Sequence, residues 1–450
     1  MLLHARWAQI TLGVALVLSF VIGPAALRRI ESLGLHRNAV VTLARTWFVR
    51  VVRPNDTTVV TAPLKPEGRA LDLTHLAAAA KGRNVVWIVL ESTGARYLKP
   101  YGAQRDTTPN VTNLAAGGIT FDSAYTLYPE SIKGLWAAMC SYAIAPHTPA
   151  ETYAKVPCTS IAEVMHARGY RTALLHSGRF AYLGMESVVE NRGFDVLEDA
   201  GKIPAKQVAS FGIDDASTAR RALSFVDSVK TDAPFFLMYL PIGGHHPYDT
   251  PGEGPRPFPE TNDYSHYEND LYRADHATGL LIDGLKTRGR FENTIFIVNG
   301  DHGEAFFQHE GNFAHTLFVY EENVQVPLII TVPGVTTALH APQIASLLDI
   351  PPTIIELTGG TADGKWEGRS LLQPVPRIAR FFADQATFQL GLRDGRFKAI
   401  HETESGRTKL FDLSVDPLEK QDLAPTDAER ANRYRDHLLA WSRAIGARVP

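Results

Sequence analysis

The stretch Ile295-Phe296-Ile297-Val298-Asn299-Gly300-Asp301-His302-Gly303-Glu304 decides the fold of this 450-residue chain. An apolar, β-branched run ends at Gly300 and an Asp-His pair comes immediately after it. That pattern predicts a buried strand whose C-terminal end delivers a carboxylate and an imidazole into a loop. Three other apolar runs end in the same way. Residues 84–90 stop at Glu91, residues 172–175 stop at His176, and residues 235–240 run on through Gly243-Gly244 to His245-His246. In open α/β sheets, ligands bind beyond the carboxyl ends of the strands. A lone Glu91 would more plainly be a helix cap. Two ionisable groups closing a buried strand, however, cost desolvation energy unless they are paired or hold an ion. Glu, His, His-His and Asp-His at one sheet edge therefore read as a metal-centred active site.

From residue 84 onward, short apolar runs alternate with amphipathic segments, which predicts a βαβ sheet. Helices are expected at 160–168, opened by a Ser160/Glu163 capping box, and at 214–230, 267–288, 341–358 and 426–447. A strand is expected at 327–332 and an edge hairpin at 391–401. The net charge of −3 lacks the basic footprint of a nucleic-acid binder. The two cysteines, Cys140 and Cys158, form no Cys-x-x-Cys pair, which excludes a zinc ribbon or a thioredoxin-like site. They are either one disulfide or two buried thiols.

Residues 7–27 carry no charge and are long enough to cross a bilayer. They read as an uncleaved anchor, with a cleavable signal peptide as the rival. Arg28, Arg29, Arg37, Arg45, Arg50 and Arg53 lie after this span and only Arg6 precedes it. The positive-inside rule would put the remainder of the chain in the cytoplasm, unless residues 40–52 form an interfacial helix with its arginines on lipid headgroups. The expected organisation is a membrane anchor and juxtamembrane helix at 1–53, a connector at 54–83, a catalytic domain at 84–373 and a C-terminal subdomain at 374–450.

The segment Tyr128-Pro129-Glu130-Ser131-Ile132-Lys133-Gly134-Leu135-Trp136 offers a nucleophile. Ser131 lies where a helix should begin, so its hydroxyl would meet the positive end of the helix dipole. An ordinary Ser N-cap is the competing reading. Asp, Glu and His around one ion suit Zn²⁺ or Mn²⁺ better than an all-oxygen Ca²⁺ cage, with Mg²⁺ or Ca²⁺ as alternatives.

Several ordered stretches resemble the sulfatase family of the alkaline phosphatase superfamily. They are residues 84–91, 108–115, 118–121 and 124–125, Arg192-Gly193-Phe194-Asp195, His245-His246-Pro247-Tyr248 and Asp301-His302-Gly303-Glu304, then residues 320–322, 326–330, 410–414 and 416–419. The resemblance implies an alkaline-phosphatase-like central mixed sheet flanked by helices, with a small C-terminal α+β subdomain. Ordinary sulfatases carry a Cys/Ser-x-Pro-x-Arg sequence that is converted to formylglycine. Here the matching stretch is Ser131-Ile132-Lys133-Gly134-Leu135, without the Pro or the Arg, and the usual Asp-Asp pair of the first strand is Glu91-Ser92. These departures resemble the lipoteichoic acid synthases and lipid A phosphoethanolamine transferases, although those generally have Thr where Ser131 stands.

By that resemblance Glu91, Ser131, Asp301 and His302 ligate one metal ion. His245 and His315 act on the substrate, with His246 and His309 as fallbacks, and His176 and Arg179 hold its polar head. Lys133 would neutralise a substrate oxygen, or is simply a solvated surface lysine. The function expected is a metal-dependent hydrolase of phosphate or sulfate esters that works through a covalent seryl ester. A membrane-anchored phosphoglycerol or phosphoethanolamine transferase and a non-catalytic binding protein are the alternatives. The substrate expected is a lipid or envelope glycan, and the resemblance places the catalytic domain outside the cytoplasm.

Overall fold

A computed structural model describes residues 64–205, 207–209 and 211–448. The anchor and juxtamembrane helix expected at 1–53 lie outside the described residues. Among the described residues no helix is long and apolar enough to cross a membrane. The second half of the expected connector is laid down on the domain that follows it: Leu73 N–H donates to the Leu372 carbonyl, and Ala78 and Ala80 donate to the carbonyls of Glu356 and Leu357.

The main sheet is built from β1 (Asn84–Leu90), β2 (Ile119–Tyr125), β3 (Arg171–His176), β4 (Val196–Glu198), β5 (Phe235–Leu240) and β6 (Thr294–Gly300). After a two-stranded ribbon of β7 (Ala305–Phe306) and β8 (Phe313–Ala314), it is completed by β9 (Gln325–Val326), β10 (Leu328–Thr331) and β11 (Leu339–Ser346). The strand order is β11-β2-β10-β6-β1-β5-β3-β4, with β9 paired to β2. Every pairing from β6 through β1, β5 and β3 to β4 is parallel, and only β10 and β9 run antiparallel to their neighbours. Strands β1, β5 and β6 are buried along their whole length, as continuous apolar runs covered on both faces require.

Helices α1 (Pro109–Ala116), α2 (Ser131–Cys140), α3 (Ile161–Ala167), α4 (Glu186–Val189), α5 (Asp215–Ser228), α6 (Asp263–Thr287), α7 (Glu321–Val324) and α8 (Ile350–Leu357) are interspersed with these strands. Two apolar layers result. Trp87, Trp136 and Met238 belong to one, and Val86, Tyr239 and Leu281 to the other. The Ser160/Glu163 capping box opens α3 as expected.

Two expectations fail. Residues 341–346, expected as helix, are the end of β11, paired in parallel with β2. The helix starts only at Ile350, where prolines occupy its first turn and supply the pre-set φ that position favours. The hairpin expected at an edge is internal. β12 (Ile378–Ala383), β13 (Gln389–Asp394), β14 (Phe397–Glu402) and β15 (Thr408–Asp412) form an antiparallel sheet in that order, so β13 and β14 are its middle strands. The C-terminal helix α9 (Ala428–Gly446) buries Tyr434 and Leu438 against this module. Cys140 and Cys158 are joined as a disulfide.

Candidate active site

The four strands that end in ionisable residues are consecutive neighbours, β6-β1-β5-β3, so their parallel alignment gathers Asp301-His302, Glu91, His245-His246 and His176 at one edge. Asp301 and Glu91 are each 6% exposed and His302 is fully buried. The Asp301 Oδ1 accepts the backbone N–H of Ser92 at 2.8 Å and of His302 at 2.7 Å, which leaves Oδ2 3.4 Å from His302 Nε2. The Glu91 Oε1 lies 3.7 Å from the same nitrogen. His302 Nδ1 sits 3.0 Å from the Gly303 carbonyl. A carbonyl only accepts, so Nδ1 carries a proton and Nε2 is the nitrogen turned toward the two carboxylates. Burial, and then the charge of Asp301, push the Glu91 carboxyl up to about 8.

A cation relieves both conflicts. Ligand atoms of Glu91, Asp301 and His302 all lie within 4.8 Å of one another, and this mixed oxygen and nitrogen set fits a divalent ion.

Ser131 completes the cluster. Its Oγ is 3.2 Å from each Glu91 carboxylate oxygen and 3.1 Å from His302 Nε2. It is not the helix cap. Glu130 takes that role, accepting the backbone N–H groups of Ile132 at 2.9 Å and Lys133 at 3.1 Å. The hydroxyl is thus freed from capping and held at the positive end of α2.

The loop carrying His245 and His246 is fixed by two helix carboxylates. Asp215 on α5 accepts the N–H groups of Ile242 and Gly243 at 2.8 and 3.0 Å. Asp270 on α6 accepts that of Gly244 at 2.8 Å and the Thr250 hydroxyl at 2.7 Å. Gly244 has φ +107°, and a Cβ there would stand 2.7 Å from the Glu91 carbonyl; the two loops approach this closely only because it is glycine. His245 Nδ1 donates to the His246 carbonyl at 2.6 Å and its ring stacks on Phe211 with centroids 3.9 Å apart, leaving Nε2 available.

His315 stacks on His302 with centroids 3.9 Å apart, and its Nδ1 is 2.7 Å from Glu304 Oε2. Tyr248 donates its hydroxyl to the other Glu304 oxygen at 2.5 Å. Burial lowers the His315 imidazole to about 4 and raises the Glu304 carboxyl to about 7. His176 rests its Nδ1 on the Leu240 carbonyl at 3.2 Å and is lowered to about 4 by burial.

A cavity of about 380 Å³ lies over the cluster, lined among others by Glu91, Ser131, His176, Arg179, His245, His246, Asp301 and His315. The residues expected in the site thus line this cavity or, like the buried His302, lie beneath it, with two exceptions. His309 belongs to a separate network, with Nδ1 2.6 Å from Glu322 and its ring stacked on Tyr320. Lys133 does not line the cavity and is buried rather than solvated. Its ammonium donates to the Thr148 carbonyl at 3.2 Å and lies over the Tyr128 ring. Three contributors are not singled out by the sequence. Tyr248 and Glu304 stand inside family-like motifs but act through each other, 56 residues apart. Phe211 sits in a loop with no periodic signal.

A parallel-rich α/β sheet with such a cluster at its carboxyl edge defines an enzyme of alkaline-phosphatase-like fold. Residues 83–360 match the sulfatase family, and the chain belongs to that family, whose members act on sulfate or phosphate esters and depend on a metal. Among its relatives is human arylsulfatase A, 25% identical over 417 residues, covering 78% of this chain and 81% of the relative. Another is the lipoteichoic acid synthase-like YvgJ of Bacillus subtilis, 23% identical over 371 residues, covering 78% of this chain and 58% of that protein. The solved lipoteichoic acid synthase LtaP of Listeria monocytogenes shares the fold with a TM-score of 0.64 at 17% identity, covering 83% of this chain and 95% of that one.

Proposed function

We propose that the protein is a metal-dependent esterase of phosphate or sulfate esters with unmodified Ser131 as nucleophile. The observation that carries this reading is the Ser131 hydroxyl, released from helix capping by Glu130 and held 3.1–3.2 Å from Glu91 and His302. A divalent ion, Zn²⁺ or Mn²⁺ by donor type, would be held by Glu91, Asp301, His302 and the Ser131 oxygen, where it would favour the alkoxide and draw charge from the ester.

Ser131 Oγ attacks the phosphorus or sulfur in line with the leaving oxygen, forming one ester bond as the other breaks. Arg179 and His176 line the cavity where the polar head would sit. The half-buried His245, with Nδ1 anchored, gives its Nε2 proton to the departing alcohol. His315, held neutral by burial, accepts a hydrogen bond and orients the group. Water then gives a proton back to His245 as it attacks the seryl ester, and the bond to Ser131 Oγ breaks, so that both residues return to their starting state.

A second reading, transfer to an acceptor alcohol, is supported by the cavity mouth. Tyr182 and Leu183 line it and are 49% and 64% exposed, an apolar rim suited to a lipid or glycan body. The disulfide favours an oxidising, extracytoplasmic location.

The test is turnover of matched aryl sulfate, aryl phosphate monoester and aryl phosphodiester by the full chain with Zn²⁺ or Mn²⁺, with and without chelator, beside Ser131→Ala. Phosphoester turnover lost by about 10³-fold or more in the variant and on chelation is expected. Turnover that survives Ser131→Ala would sink the mechanism. A product that forms only when an acceptor alcohol is added would establish the transferase reading.

A further inference from the structure

A second cavity, of about 340 Å³, lies at the start of β12, between the catalytic domain and the C-terminal module. At the other end of that strand Asp384 accepts the Tyr128 hydroxyl at 2.7 Å and Gln385 lines the active-site cavity. The six residues of β12 span about 20 Å from one end to the other.

Three arginines line this second cavity, Arg369, Arg377 and Arg380. Against them stand the carboxylates of Asp349 and Glu367, and both are already engaged. Asp349 accepts the backbone N–H groups of Arg369 and Ser346 at 2.7 and 3.0 Å and pairs with Arg377 at 3.2 Å. Glu367 accepts the Ala143 N–H and is paired with Arg448.

The Arg377 side chain is only 9% exposed. Its terminal nitrogens donate to the Arg369 and Ser370 carbonyls, which holds the fork in place, while its Nε is buried without a partner among the described residues. Arg380 is less well compensated. Its Nε donates to His437 Nε2 at 2.8 Å, and among the described residues no carboxylate pairs with it. A guanidinium withdrawn from water normally has an anion beside it. Its planar fork matches the oxygens of a sulfate or phosphate. Trp441, whose ring centroid lies 6.2 Å from that of Phe382, also lines the cavity, with Leu64, Leu127 and Ile344.

We propose that this cavity is a second oxyanion site, separate from the active-site cavity, in which Arg369 and Arg380 take a sulfate or phosphate group beside the Arg377 fork that Asp349 already holds. Trp441 offers a flat face to whatever body carries that group. The anion is either free in solution or borne on a sugar, and the same guanidinium groups serve both. The readout is binding, so the inference stands whether or not Ser131 is the nucleophile.

The test is calorimetric titration of the full, metal-loaded chain with sodium sulfate and sodium phosphate, against sodium chloride at matched ionic strength. Arg369→Gln, Arg380→Gln and Ser131→Ala are titrated in parallel. Loss of a charge-assisted contact should weaken one class of oxyanion binding by about tenfold in each arginine variant, while that class persists in Ser131→Ala. Arg369 is exposed, so its variant keeps the test decisive if Arg380→Gln fails to fold. Isotherms of the folded arginine variants that superimpose on the parent would overturn the proposal. A sulfated disaccharide that binds more tightly than sulfate, and loses that advantage in Trp441→Ala, would identify a sugar-borne group. Equal affinity would identify the free anion.

Discussion

At the scale of single residues, the site depends on which proton sits where. The Gly303 carbonyl fixes one proton on His302, and Glu304 holds another between itself and His315. Glu304 is fully buried, and the Tyr248 hydroxyl on its other oxygen is its second partner, so both carboxyl oxygens are satisfied by the two groups it orients. Glu304→Gln keeps the volume and one acceptor oxygen but places an amide N–H toward Tyr248 or His315. We expect kcat to fall by about 10–100-fold, the usual cost of disturbing the partner of a site histidine, with KM little changed. Steady-state kinetics on an aryl ester, with imidazole NMR of His315, would check it; an unchanged kcat beside an unshifted His315 signal would remove Glu304 from the mechanism. These roles are hard to read in the chain itself. Asp301-His302 announces itself because two ionisable groups together close an apolar strand, whereas Glu91 taken alone reads as a helix cap and enters the ligand set only by the resemblance. Glu304 and Tyr248 acquire meaning only through each other, across a separation that no local pattern encodes. Lys133 shows the converse difficulty: its nearness in sequence to Ser131 suggests a substrate contact or a solvated lysine, and the fold instead buries its ammonium against Tyr128 and Thr148.

Individual elements matter through their ends. Helix α2 carries Ser131 at its first position and Cys140 at its last, and the disulfide to Cys158 ties the far end down across 18 residues of sequence. Closing a loop of that size stabilises a fold by about 3 kcal/mol through the unfolded chain. The double variant Cys140→Ala/Cys158→Ala should therefore lose about that much in denaturant unfolding, and a loss below about 1 kcal/mol would make the bridge incidental. Elements of the C-terminal module set an acid limit. His401 on β14 is driven down to about 4 by burial and Arg435, and His437 on α9 to about 4 by burial and Arg380. Both folded values lie below the usual 6.5, so the unfolded chain takes up these protons first. Stability is full above about pH 6.5 and falls as pH drops toward about 4. His401→Gln should flatten that fall in thermal melts, and identical slopes in parent and variant would refute the assignment. Strand β11 marks where element reading fails. Residues 341–350 mix apolar and small side chains at spacings that suit either state, and it is pairing with β2, far away in sequence, that makes the first half a strand.

Across the whole molecule, two modules meet at a buried charge cluster. Lys398 of β14 lies 2.9 Å from Glu321 at the start of α7 and 2.8 Å from Glu419 beyond β15, with the lysine and Glu419 side chains fully buried. Tyr125, the last residue of β2, donates to the second Glu321 oxygen at 2.9 Å, and Glu419 accepts the Glu321 N–H at 2.7 Å. The cluster thus joins the main sheet to the C-terminal sheet without touching Ser131. The family motifs around residues 320–322 and 416–419 are visible in sequence, but their partner Lys398 is not, because a lone lysine in a strand normally reads as solvent-facing. Replacing it strands two carboxylates in the interior, a change that costs about 3–5 kcal/mol. Lys398→Met should lose stability on that scale, and Lys398→Met/Glu419→Gln should recover part of it by removing one orphaned charge. Because the cluster spans both modules, the loss should appear as one cooperative transition, with amide exchange accelerating in β1 and β14 together. If β14 exchanged freely in Lys398→Met while β1 kept its protection, the two sheets would be independent units and the cluster would not be what holds them as one.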